Sequence, residues 1–140
     1  HFFDDTHPIY RGLAEVLRLR KEHLALRRGR QYLREISGNG VDFGIPWMMG
    51  GPLRSIVAWS RVFDREEMLV AVNTDTENAL TAWVTVDAAL NAHPDARFKC
   101  LYASDPALRN IEHPCTCLSY GRIVVQITVP AAGVVIYHQA

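Results

Sequence analysis

Few residues of this 140-residue chain combine types and spacing in a way that suggests chemistry, and each such set also has a plainer account. His113-Pro-Cys115-Thr-Cys117 gathers ligand-type side chains in a short stretch. A structural zinc site takes four ligands, usually as two spaced pairs, and only Cys100 is left to complete this one. A plain loop with buried or free thiols is the better account, so no metal site and no cofactor are expected. Cys115 and Cys117 are too close for a comfortable mutual disulfide, while a bridge from Cys100 to either stays open. Three cysteines is an odd count that fits a reducing compartment, hence the cytoplasm. No Gly-rich phosphate loop, Ser-His-Asp set or Cys-His pair in a suitable context is present.

Arg27, Arg28, Arg30 and Arg34 form a basic run. A nucleic-acid surface would interleave such a run with aromatics in a basic domain. Here only Tyr32 is near and the formal net charge is zero, so no nucleic-acid partner is expected. Guanidinium forks are suited to ion pairs and hydrogen bonds at a boundary between domains, which is the expected role. Trp47, Trp59 and Trp83 have faces that could stack on sugar rings. Trp59 falls in a strand and reads as core. Trp47 and Trp83 are weak candidates for carbohydrate binding, with packing as the plainer alternative.

These residues hang on one helix followed by many short strands. Pro8 suits the first helical position, and Asp4, Asp5 and Thr6 lie just upstream, where negative charge and capping oxygens favour a helix start. Ile9, Leu13, Val16, Leu17 and Leu24 recur at helical spacing, which predicts a helix from Pro8 to about Ala25 that Gly29 stops. Charge changes along the chain too: up to Ile36 there are eight basic residues against five acidic ones, and the remainder is acidic by the same margin. No apolar run reaches the roughly 18 residues needed to cross a bilayer, and no signal peptide is visible, so no membrane is expected.

From Gln31 onward the pattern is of strands: Gln31 to Ser37, Leu53 to Phe63, Met68 to Asn73, Leu80 to Val86, Phe98 to Ala103, a short piece at Cys117 to Tyr120, Arg122 to Val129, and Val134 to His138. Ser37-Gly-Asn-Gly40 is a turn, Val41 to Pro52 a Gly- and Pro-rich loop, Asp64 to Glu67 a second turn, and Ser104 to Pro114 an irregular stretch. Leu80, Ala82, Val84 and Val86 alternate with Thr81, Trp83 and Thr85, as in a half-buried strand. Ile123, Val125, Ile127 and Val129 do the same, whereas MLVAV is apolar on both faces, as a central strand would be. Seven or eight such strands predict a mainly β fold, an antiparallel, Greek-key-like β-sandwich preceded by one amphipathic helix.

The order HPIYRGLAEVLRLRKEHLALRRGRQYLREIS, then VAWSRVFDREEMLVAVNTDTE, then TVPAAGVVIY resembles the C-terminal end of the α-amylase family of glycoside hydrolases. In that family a catalytic (β/α)8 barrel ends in a helix that begins near a His-Pro. An arginine-rich connection and an all-β C-terminal domain follow. The resemblance covers nearly the whole chain, except the loop Val41 to Pro52. It implies that residues 1–30 are the final helix and connection of a truncated barrel and that residues 31–140 are the C-terminal sandwich. It also implies a parent that acts on α-glucosidic linkages, by hydrolysis or transglycosylation, in starch or maltooligosaccharides.

The resemblance carries no catalytic residue. The family's acidic nucleophile, glutamic general acid and third aspartate lie on earlier barrel strands, and no acidic residue here matches their motifs. Paired carboxylates held across the scissile bond are what the reaction needs. Asp4 and Asp5 read as helix-start residues. The implied partner is the barrel, met through Ile9, Leu13 and Leu17 with Arg27, Arg28 and Arg30 at the edge; α-glucan is a further candidate ligand. In the chain alone a second copy could cover the same helix stripe. The alternative is a free-standing carbohydrate-binding or protein-interaction module, which has no need of a helix whose stripe faces away from its own sandwich.

The alternation over Ile123 to Val129 places all four apolar residues inside. Changing Ile127→Ala is therefore expected to cost roughly 2–5 kcal/mol in denaturant unfolding. A loss below about half a kcal/mol would put that face of the strand in solvent.

Overall fold

The computed structural model describes residues 8–45 and 55–139, and the side chains of residues 8–11 and 13 lie outside that description. Helix α1 runs over Pro8–Glu22. The chain then steps through an extended His23 (φ −115°, ψ 112°) into a second short helix, α2, over Leu24–Arg28. One helix was expected and two are present. In an unbroken helix the Ala25 N–H would bond to the carbonyl of Lys21. It donates instead to Glu66 Oε1 at 3.0 Å, so a side chain from the β-domain sets the joint. Gly29 ends α2, though with an ordinary φ of −65° rather than a left-handed one. Space is the reason: a Cβ there would sit 2.3 Å from the Ala25 carbonyl oxygen and 3.0 Å from the Val62 nitrogen.

Nine strands follow among the described residues: β1 Arg30–Arg34, β2 Ile36–Ser37, β3 Ile56–Phe63, β4 Glu66–Asn73, β5 Leu80–Thr85, β6 Arg97–Ala103, β7 Glu112–Cys117, β8 Ile123–Val129 and β9 Val134–Gln139. Every pairing is antiparallel, in the order β1-β3-β4-β9-β6-β7-β8-β5-β2. Two segments serve both ladders. Residues 30–34 pair with β3 (Arg34 opposite Ala58), and after Glu35 the same segment pairs with β5 (Ile36 opposite Val84). On the far side Glu112 to Pro114 pair with β6 and Cys115 to Cys117 with β8. These switches curl the two layers into a nearly closed sheet, and they explain why the count exceeds eight.

His113-Pro-Cys115-Thr-Cys117, expected as a loop, is thus a strand. Pro114 has no N–H to give a ladder, and it stands where the strand changes partners. The strand expected at Cys117 to Tyr120 is instead a 3₁₀ turn over Ser119–Gly121, with Tyr120 and Gly121 at positive φ. The β3–β4 turn is shorter than expected. Asp64, at φ 55°, and Arg65 make it, while Glu66 and Glu67 already belong to β4. Of the loop expected over Val41 to Pro52, the part beyond Ile45 lies outside the described residues.

The main core lies between the layers. Ile56, Leu69, Val84, Phe98, Ile127 and Tyr137 are among its residues, and Ile123, Val125 and Val129 join Ile127 there as the alternation requires. A second cluster lies on the outer face of the β3-β4-β9-β6 layer, where Leu19 and Ala25 of the helices meet Met68, Val70, Tyr102 and Ile136. Both faces of β4 are therefore covered, as its doubly apolar sequence asks. The helices rest on this chain's own sheet through Leu19 and Ala25, with Val16, Leu26 and Trp59 packed beside them. A stripe wholly turned away from the sandwich is not what forms.

Gly29 lets α2 meet β3. Gly29→Ala is expected to cost about 1–3 kcal/mol by thermal unfolding, the range for overpacking at a close contact. An unchanged midpoint would mean that the joint gives way at no cost.

Candidate functional site

Two consecutive carboxylates at the start of β4 organise the joint between helices and sheet. Successive strand residues face opposite ways, so Glu66 looks out under the helices and Glu67 looks in. Glu67 is fully buried. Its Oε2 accepts from Ser60 Oγ at 2.6 Å and from Arg34 Nη2 at 3.0 Å. Asn91 Nδ2 donates to Oε1 at 2.8 Å, and the Asp87 N–H reaches both oxygens at 3.2 Å. Arg34 also donates from Nε to Ser60 Oγ at 2.8 Å. A buried carboxylate is tolerated when so fully bonded and paired. The network ties β1, at its switch toward β2, to β3, β4 and the turn after β5.

Outside the sheet, Glu66 Oε2 lies 3.1 Å from His138 Nε2 on β9 and 3.5 Å from His23 Nδ1 at the joint of α1 and α2. The two imidazole rings stand 5.0 Å apart, tilted by 47°. Burial works against a charged Glu66, but the Ala25 N–H, His138 and His23 outweigh it and hold its carboxyl below the usual range. Glu66 and His138 also line a surface cavity of about 520 Å³, with Leu24 and Phe63 on its rim. Nothing in the sequence joins positions 23, 66 and 138. The alternation of β4, extended backward from Leu69 and Ala71, would have placed Glu67 inside.

Of the residues proposed for an interface, Leu17 is 53% exposed and Leu24, from the same stripe, is 43% exposed. Arg27, Arg28 and Arg30 are exposed as well, and none is in an ion pair among the described residues. The side chains of Ile9 and Leu13 lie outside the description. Arg34, from the same basic run, is the one turned to the buried Glu67. The run therefore divides between a structural pair and an open basic surface beside exposed leucines.

Trp47 lies outside the described residues. Trp83 is half-buried, opposite Ser37 of β2 and Gln126 of β8. Its indole lies against the turn that follows β2, where a Cβ on Gly40 would come 3.3 Å from Nε1. Trp59 packs under the helices rather than in the main core. Cys100, Cys115 and Cys117 are all free. Burial pushes the thiols of Cys100 and Cys115 up to about 11, with Glu67 adding to the shift at Cys115, so at neutral pH both are protonated and poor ligands.

A scan against known protein families finds no match, and no curated protein matches the chain. Solved structures do. The chain is 20% identical to a debranching enzyme from Nostoc punctiforme over 92% of its own length and 21% of that chain, with a TM-score of 0.55. Against CldA, described as the first cyclomaltodextrin glucanotransferase with a three-domain ABC distribution, the values are 19%, 97%, 23% and 0.62. Against an α-amylase from H. orenii they are 14%, 94%, 20% and 0.50. This chain spans about a fifth of the length of each of them. At these identities the likeness is one of fold: the antiparallel β-domain with its leading helices recurs as part of each of these larger enzymes.

The buried pair supplies a test of the joint. Arg34→Met leaves the Glu67 carboxylate without its counter-charge and is expected to cost about 3–5 kcal/mol in urea unfolding. Adding Glu67→Gln should restore part of that loss. A single variant within half a kcal/mol of the wild type would show that Ser60, Asn91 and the Asp87 N–H suffice.

Proposed function

We propose that this chain is the C-terminal domain, with its leading helices, of an α-amylase-type glycoside hydrolase acting on α-glucosidic linkages of the starch or maltooligosaccharide type. It stabilises the catalytic barrel and does not carry the chemistry. The observation that supports this most is the asymmetry of the likenesses. They run over nearly all of this chain and about a fifth of each enzyme. The exposed Leu17 and Leu24, and Arg27, Arg28 and Arg30, which are in no ion pair among the described residues, suit a face that docks a barrel. Apolar area left in water forgoes roughly 25 cal/mol per Å², so a cover for those leucines is favoured.

A second account has one observation in its favour. The helices already rest on this chain's own sheet, as they would in a free-standing carbohydrate-binding or interaction module. Trp83 would be its sugar contact.

The purified chain is expected to show no turnover of starch or maltooligosaccharides. Activity that survives purification and disappears with a single carboxylate change in this chain would overturn the non-catalytic role. Added to the catalytic barrel encoded with it, the chain should raise the barrel's thermal midpoint, and Leu17→Ser with Leu24→Ser should remove the rise. No rise, together with retardation on an amylose gel that Trp83→Ala abolishes, would favour the free-standing module instead.

A further inference from the structure

We propose that His23, Glu66 and His138 form a binding site for a divalent transition metal, zinc in the first instance, that clamps the helix joint to the β-domain. The three ligands come from three separate places: the break between α1 and α2, the first residue of β4, and the last strand, β9. One ligand atom from each lies within 4.8 Å of the other two. Glu66 Oε2 is 3.5 Å from His23 Nδ1 and 3.1 Å from His138 Nε2. A tetrahedral zinc ion, with bonds of about 2.0–2.1 Å, sets its ligand atoms roughly 3.3–3.4 Å apart. The two separations from Glu66 Oε2 fall on either side of that value, and the His23 and His138 nitrogens lie within 4.8 Å of each other, so an ion fits once the two rings turn in toward it.

The donor set selects the metal. Two imidazoles and one carboxylate suit zinc, cobalt, nickel or copper, whereas calcium and magnesium take oxygen ligands throughout. The carboxylate is aimed before any ion arrives. Its Oε1 is held by the Ala25 N–H at 3.0 Å, which leaves Oε2 turned to the two rings. Such outer hydrogen bonds orient metal ligands. All three side chains are partly exposed, at 20%, 30% and 31%, and the cavity that Glu66 and His138 line gives an ion and a water a way in. A water would take the open position. The clamp would join α1, α2, β4 and β9 at one point. Because the unfolded chain does not bring these residues together, binding there would stabilise the fold.

The test uses the whole chain, stripped with a chelator and returned to metal-free buffer at pH 7.5. Zinc added in a calorimeter is expected to bind at one equivalent and to raise the thermal midpoint, while calcium and magnesium do neither. Cobalt in place of zinc should give the visible absorption of a four-coordinate ion. Glu66→Gln keeps the shape of the side chain and His138→Gln replaces the ring with a neutral amide, and each should weaken zinc binding by about tenfold or more. His93→Ala and His113→Ala, which change histidines elsewhere, should bind as the wild type does. Far-UV circular dichroism of each variant confirms that it is folded. A folded wild-type chain with no zinc-dependent heat or midpoint shift would overturn the proposal. Binding that His138→Gln and Glu66→Gln leave at full strength would overturn it equally, by placing the ion on other groups.

Discussion

Glu66 and Glu67 stand side by side at the start of β4, and the two-residue period of the strand sends them to opposite sides of the sheet. Glu67 fastens the inside. It bonds Arg34, Ser60, Asn91 and the Asp87 N–H, and so fixes where the segment from Arg30 to Ser37 leaves one layer for the other. Glu66 fastens the outside. It takes the Ala25 N–H out of the helix, breaks the helix at His23, and faces both histidines. The pairing register of β4, with Glu67 opposite Val62 and Glu66 opposite Phe63, sets both jobs at once. A slip of one residue would exchange them and would turn a fully bonded carboxylate toward water.

The same strand explains the layering. Leu69 and Ala71 enter the core between the layers, while Met68 and Val70 meet the helices. A strand that is apolar on both faces leaves one face bare unless a third layer covers it, and Leu19 and Ala25 are that cover. The helices therefore have two roles on two surfaces. One surface completes this domain. The other presents Leu17 and Leu24 with arginines nearby, and has nothing on it among the described residues.

This division bears on function. A domain whose carboxylates are committed to bonds at the joint has a structural use for them. The prominent buried acid, Glu67, is closed in by its partners and has no opening to a substrate. The thiols of Cys100 and Cys115 are held protonated by burial. What the surface presents is exposed leucines and arginines on the helices and a histidine-carboxylate cluster where the helices meet the sheet.

The sequence by itself determined most of the strands and the inner faces of those that alternate. Leu80, Ala82, Val84 and Val86 alternate with Thr81, Trp83 and Thr85, as Val125, Ile127 and Val129 do with Gln126 and Thr128, and a face that must be buried can be read from that alternation. Tertiary structure decided the rest. The helical stripe of Val16, Leu17 and Leu24 was legible, but periodicity reports that a face is apolar and not what covers it. In the structure Leu19 and Ala25 are the residues buried on the sheet. His113 to Cys117 became a strand because β6 and β8 both lacked a neighbour there, a need that no local pattern carries. Glu66 and Glu67 looked like turn residues because acids favour turns. Their partners lie 43 and 72 residues away for Glu66, and 33 and 24 away for Glu67, and only the folded register brings such distant groups together.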